Sequence, residues 1–348
     1  MKKALHIFAA DAKTNSGDFF LGPSTKWQFQ NIIGTVVSWK NFNARKKITK
    51  KDLLYFNTFD YIIIGGGGLF LPDSNPNSVS CWQFAFPTEF YSMLTPNVYV
   101  ISIGWNHFYN QDITMPTRGK DRNTGIPQRA KIFKDNVEKL IEKSVSFTMR
   151  HNGDCNQLKK VVDPSLHSKI EFAFCPVIGY VKNKYLPRFE NKGVYHTFEI
   201  KDDRPHRRYF GTSHQDVFKE LLGYIQFLLA RGEKIAVMRH DSSIIFAVFL
   251  RKNQVPFTLL DNTVANEEKI IRNYSQVKKL YCTAGHSQMT AYALGLNFHS
   301  LISHDKLEYF LRDIGRFDKD ANNYTYVREN ALSEKLKLRY KSNLEVIK

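Results

Sequence analysis

Several side chains able to grip an anion or move a proton recur at one kind of place in this sequence. His286 follows the apolar run Leu280–Thr283, and His304-Asp305-Lys306 follows Phe298–Ser303. Arg239 and His240 follow Lys234–Met238, Arg204 follows Val194–Ile200, and Arg150 follows Val145–Met149. Asn106 follows Asn97–Ile103, and Asp18 closes the polar turn Asn15–Asp18 after Ala4–Ala9. In parallel α/β sheets, ligands bind beyond the C-terminal ends of the strands, where helix N-termini present unbonded N–H groups. Arginine pairs with carboxylate or phosphate through a two-pronged fork, and histidine exchanges protons near neutral pH. The implied chemistry is anion binding with acid–base work by a histidine. For His286, a capping or packing role and a functional one both stay open.

A second feature is the glycine run Gly65, Gly66, Gly67 and Gly68, placed after the buried strand Asp60–Ile64. Such a run lets backbone approach a ligand closely and exposes N–H groups. It is not a GxGxxG fingerprint, and no Lys-Ser/Thr follows it as in a P-loop. Ser16, beside Gly17, reads as part of a plain strand-to-helix loop.

The elements that must position these groups alternate strand, polar turn and helix in both halves. The first half has strands Ala4–Ala9, Asp60–Ile64, Asn97–Ile103, Val145–Met149 and Glu171–Phe174. Its helices are expected at Pro23–Ile33, Gln83–Met93 (interrupted near Pro87), Pro127–Glu142 and Cys155–Val162. The second half has strands Val194–Ile200, Lys234–Met238, Phe257–Leu260, Leu280–Thr283 and Phe298–Ser303. Its helices are expected at His214–Ala230 with Gly232 as stop, Ser242–Leu250, Glu267–Ser275, a helix capped by Ser287 that runs to Leu294, and one starting at Asp305. Lys182–Lys192 is polar, basic and turn-rich, the best linker candidate. The expected division is residues 1–186, residues 187–325 and a charged helical tail, 326–348. The fold class is α/β, two Rossmann-like domains facing across a cleft.

The 348 residues suit two domains, and 43% hydrophobic content is ordinary. A formal charge of +17 is not, and it points to nucleic acid, an anionic membrane surface or phosphorylated substrates. The cations are scattered, and no nucleic-acid module is present, so no nucleic-acid partner is expected. Arg45-Lys46-Lys47 with Lys50-Lys51, and Arg204 with His206-Arg207-Arg208, are the densest groups; for the first, a solvated face is the plainer reading and a binding patch the sharper one. Cys81, Cys155, Cys175 and Cys282 form no CxxC, and no metal site is expected. No apolar run is long enough for a membrane span, so a soluble, cytoplasmic protein is expected, with peripheral contact to anionic membrane.

The ordered set of motifs resembles the polysaccharide pyruvyl transferase family. It is carried by Asn15-x-Gly17-Asp18, Ile62–Leu69, Ile103-Gly104-Trp105-Asn106, Met149–Gly153, Asp203-Arg204, Gly285–Met289 and Ser303–Leu307, over roughly residues 4 to 316. The resemblance implies a fold like that of B-type glycosyltransferases. It implies transfer of a pyruvyl group from phosphoenolpyruvate, a donor substrate rather than a cofactor, onto a glycan or lipid-linked saccharide acceptor. It makes His286 the acid and Arg150 the group that holds the donor. Asp18, Gly65 to Gly68, Asn106, Arg204, Arg239, His240 and Lys306 are the substrate-binding candidates. One departure matters: the family has arginine two residues before the histidine, and this chain has Ala284. Glycosyl transfer from a nucleotide-activated sugar and a non-catalytic glycan- or anion-binding role are the alternatives on the same fold.

Overall fold

The computed structural model describes residues 1–9, 15–70, 77–105, 126–201, 214–241, 243–302 and 305–317. Asn106, Arg204, His304 and the tail at 326–348 lie outside the described residues. The chain divides into two α/β units: Met1–Ala12 with Phe20–Tyr180, and Lys13–Phe19 with Val181–Lys348.

The first unit is built on a six-stranded, all-parallel sheet ordered β2-β1-β3-β4-β5-β6. Its strands are β1 (Lys3–Phe8), β2 (Ser38–Asn43), β3 (Tyr61–Phe70), β4 (Asn97–Trp105), β5 (Ser144–Met149) and β6 (Ile170–Phe172). Its helices are α1 (Ser16–Ile33) from Phe20 on, α2 (Lys50–Phe56), α3 (Ile126–Lys143), α4 (Asn152–Lys159) and α5 (Pro176–Lys184) up to Tyr180; the first turn of α1 and the end of α5 are grouped with the second unit. Side-chain alternation along the strands splits the core. Leu5, Ile7, Ile62 and Ile64 pack with Leu53 and Phe56 of α2 and Val137 of α3 on one face. Ala4, Ile63 and Ile101 pack with Phe29 of α1 on the other.

Three expectations change here. Helix α1 begins at Ser16, not Pro23, because the Asn15 carboxamide accepts from Gly17 N (3.0 Å) and Asp18 N (3.3 Å) and nucleates the first turn; Pro23 lies inside the helix. Between 83 and 93 only a 3₁₀ turn forms, Thr88–Met93, with Pro87 as its N-cap. The glycine run does not end β3, which continues through it to Phe70.

Those glycines serve packing. A Cβ on Gly66 would lie 2.6 Å from Thr25 Oγ1, and one on Gly67 would lie 2.9 Å from Leu21 Cδ1. Helix α1 thus sits directly on bare backbone. At Gly65 a Cβ would meet the Ile101 carbonyl oxygen at 2.2 Å, and φ is +142°. Ile101 pairs with Gly65 across β3 and β4 and cannot withdraw without breaking the ladder. Gly65→Ala is therefore expected to lose about 3 kcal/mol or more of unfolding free energy in urea titration. Gly193→Ala, at φ +59° with open space around it, isolates the conformational part at about 1 kcal/mol. Equal losses at the two positions would refute the packing account.

The second unit has a five-stranded parallel sheet ordered β11-β10-β7-β8-β9. Its strands are β7 (Tyr195–Glu199), β8 (Lys234–Arg239), β9 (Thr258–Asp261), β10 (Val277–Cys282) and β11 (Phe298–Ser300). Helices α6 (His214–Ala230), α7 (Ile245–Lys252), α8 (Glu267–Ser275), α9 (Gly285–Ala293) and α10 (Asp305–Asp313) connect them. Gly232 and Gly295, both at positive φ, follow α6 and α9 as helix stops. Phe198, Phe218, Leu221, Ile225 and Val237 centre the core between sheet and helices.

The linker candidate is mostly structured. Helix α5 runs to Lys184, and Leu186–Arg188 is a 3₁₀ turn. Lys184 and Tyr185 bond Glu267, and Arg188 bonds Glu268, tying the segment to α8. No described helix is long and apolar enough to cross a membrane.

Candidate functional site

The second unit contains the densest group of expected site residues. The chain leaves β7 to one side for β8 and β9, and it returns to the other side for β10 and β11. The switch point lies between the ends of β7 and β10, the place where such sheets accept ligands. At the end of β10 the chain turns through Thr283 and Ala284 into α9. Helix α9 has Ala284 as N-cap with no side-chain cap bond. Ser287, expected to cap, lies inside the first turn, with its Oγ 3.4 Å from His240 Nδ1.

His286 stands out by exposure. From Leu280 to Ala291 every residue is buried except His286, which keeps partial contact with solvent although its Nε2 is enclosed. Its ring is pressed against Gly17, where a Cβ would lie 2.0 Å from Nδ1. Ser16, next to Gly17, shares a 2.8 Å hydrogen bond with His240 Nδ1 and donates its backbone N–H to the His240 carbonyl at 3.1 Å. The His240 and His286 rings are 6.5 Å apart. Ser16 is thus a member of the histidine cluster, not a plain loop residue. The stem of Lys306 lies along Gly285, with Cε 3.1 Å from a Cβ placed there. Gly17→Ala must push either the His286 ring or the first turn of α1. We expect it to shift the His286 NMR resonances and destabilise the fold by about 1–3 kcal/mol. Unmoved resonances would mean the contact is loose.

Below this cluster lies an acid that the motifs do not reveal. The Glu199 carboxyl, at the end of β7, accepts from Ala284 N at 2.9 Å and Thr283 N at 3.2 Å. It is buried, and desolvation pushes its pKa up to about 8 despite Lys201 and the two backbone donors. At neutral pH it is mainly a neutral acid. Beside it, Lys201 Nζ pairs with Asp241 Oδ2 at 2.5 Å. Burial alone would raise Asp241, but the Lys201 ammonium, the Ser243 N–H and His240 together outweigh it and hold that carboxyl below the usual range. Arg239 reaches Asp261 at 3.4 Å.

The other candidates are placed differently. Asp18 sits in the first turn of α1, in the second unit's grouping with Ser16 and Gly17. Arg150 belongs to the first unit and is only 1% exposed. Its guanidinium is stacked on Gly104, where a Cβ would lie 2.2 Å from Nη2. Gly65, Gly66 and Gly67 are buried in the packing described above, and Gly68 is partly exposed. Among the described residues, no three His, Cys, Asp or Glu side chains group as a metal site requires.

No family model and no curated protein sequence matches the chain. Solved structures with a similar chain trace include an alpha-glucosyltransferase bound to UDP and a mismatched DNA, at 12% identity, full coverage of both chains and a TM-score of 0.45. Another is the UDP-GlcNAc 2-epimerase of Methanocaldococcus jannaschii, at 11% identity over 87% of this chain and 84% of that one, with a TM-score of 0.44. The UDP-N-acetylglucosamine 2-epimerase of Rickettsia bellii shares 9% identity over 100% of this chain and 96% of that one, with a TM-score of 0.48.

Proposed function

We propose that the chain is a transferase of glycan assembly that takes a phosphate-bearing donor at the N-terminus of α9, with His286 as its acid–base group. The observation that carries this reading is the partial exposure of His286 in an otherwise buried strand–turn–helix at the sheet's switch point. Backbone N–H groups of the first turn of α9 and the Lys306 ammonium would receive the phosphate.

Between donors, the polar groups favour a nucleotide-activated sugar. Phosphoenolpyruvate carries a carboxylate and a phosphate, and gripping both calls for several cations. Here Ala284 replaces the arginine that the pyruvyl transferase resemblance implies, and its N–H is bound to Glu199. Lys201 and Arg239 are each paired with an aspartate. In glycosyl transfer, His286 takes the proton of the acceptor hydroxyl as that oxygen bonds the anomeric carbon. The anomeric C–O bond to phosphate breaks, and the nucleotide leaves with the electron pair.

Pyruvyl transfer is the second reading, favoured by His286 and Lys306 standing at neighbouring strand ends as that resemblance implies. Donor binding separates the two. Calorimetric titration with UDP, GDP and phosphoenolpyruvate is expected to give heat with a nucleoside diphosphate and none with phosphoenolpyruvate. The opposite result restores the pyruvyl reading, and silence with all three favours a non-catalytic relative.

A further inference from the structure

Helix α2 presents a surface that the transferase reading does not use. Leu54 is 70% exposed and Tyr55 43%, while Leu53 and Phe56 of the same helix are buried in the core. Met93, 53% exposed, is tied beside the helix end, because Asn57 donates Nδ2 to the Met93 carbonyl at 2.9 Å and accepts from Thr95 N at 3.0 Å. Lys47, Lys50 and Lys51 are exposed at the other end of the helix. The spacing puts Lys50 above Leu54 and Lys51 above Tyr55, one turn apart on the same face. Between Ala44 and Phe59 the only acid is Asp52. Its carboxylate is consumed by the capping box with Thr49 and by Lys46 at 2.7 Å. That box holds the lysine-rich segment firmly on the helix.

We propose that this face of α2 docks the protein on the surface of an anionic lipid bilayer. The lysines meet lipid headgroups, and Leu54, Tyr55 and Met93 enter the headgroup–acyl boundary. Charge complementarity picks the partner's sign, since segment 44–59 has exposed cations and its one acid is committed; exposed Glu89, in the turn that ends at Met93, offsets them only in part. The protruding aliphatic side chains pick lipid over nucleic acid. A phosphate backbone rewards lysine but offers nothing to Leu54 or Met93, whereas an interface rewards both. The inference stands independently of the donor.

The test is co-sedimentation of the full chain with phosphatidylcholine vesicles, with and without phosphatidylglycerol. Binding is expected only with the anionic lipid, and it should weaken strongly at about 0.5 M salt. Lys50→Gln and Lys51→Gln should each weaken it about fivefold. Leu54→Ser should weaken it about tenfold with an unchanged melting temperature, the side chain being exposed in the free protein. A solvatochromic dye on Leu54→Cys should shift to the blue on anionic vesicles. Absence of binding to anionic vesicles, binding indifferent to Leu54→Ser, or a dye unmoved on vesicles while a short DNA duplex displaces the protein would each overturn the proposal.

Discussion

Replacing His286 by asparagine is expected to lower transfer by roughly 10²–10⁴-fold while the protein stays folded. Asparagine keeps a polar group of similar reach at the first turn of α9 but cannot exchange a proton in the working pH range. The ring is only partly exposed and its Nε2 is enclosed, so the stability change should stay within about 2 kcal/mol. The contrast with Gly17→Ala is informative. That variant keeps the imidazole and displaces it, so activity should fall with altered His286 resonances. A role confined to packing predicts the reverse for His286→Asn: lower stability, and full turnover in the fraction still folded. Turnover retained in a stable His286→Asn protein would remove His286 from the chemistry altogether.

The α/β class was legible because parallel strands buried on both faces read as continuous apolar runs and their helices as periodic ones. His214–Ala230, with Gly232 behind it, is the clearest case, and the helix has those bounds. Local chemistry that competes with a stronger-looking signal was harder to read. Pro23 suggests a helix start, but the Asn15 side chain sets the start at Ser16. Helix α2 is only seven residues long and has no long apolar period to announce it. The pair Thr49 and Asp52, three apart before Leu53, is the capping signal that would have found it.

The site was legible where a residue type is rare and illegible where it depends on a distant partner. His286 and Lys306 can be picked out as polar groups after strands. Ser16 cannot, because its partner His240 lies 224 positions away and nothing local distinguishes it from a loop serine. The glycine run invites a ligand-binding reading because free N–H groups and close packing demand the same residue. Only the positions of Thr25, Leu21 and Ile101 show which demand applies at Gly65, Gly66 and Gly67. Glu199 is the extreme case. A glutamate at a strand end is unremarkable, and its altered acidity arises from burial against the β10 turn 84 and 85 positions later.

Glu199 also makes a prediction about stability that can be read without knowing the substrate. Its native pKa, about 8, lies above the value of 4.5 expected for an unperturbed glutamate. Between those values the unfolded chain has lost the proton and the native protein still holds it, so stability falls as pH rises. The full span, about 3.5 units at 1.36 kcal/mol each, corresponds to roughly 5 kcal/mol. Two buried histidines act oppositely. Burial lowers His6 and His299 to about 3, so the unfolded state takes up their protons first as pH falls below about 6.5. Wild-type stability should therefore rise from acid to about pH 6.5 and then decline toward pH 8. Glu199→Gln isolates the carboxyl, because its amide oxygen can still accept from Thr283 N and Ala284 N but carries no charge at any pH. Chemical denaturation of both proteins across this range should show near-equal stability at about pH 4.5 and a growing advantage for Glu199→Gln toward pH 8. A difference that stays flat with pH, or one that favours the wild type at alkaline pH, would show that Glu199 is ionised in the native protein. The neutral acid would then be lost from the base of the His286 cluster, and the case against a doubly anionic donor would strengthen, since a charged Glu199 would add a second anion beside Lys201, which already pairs with Asp241.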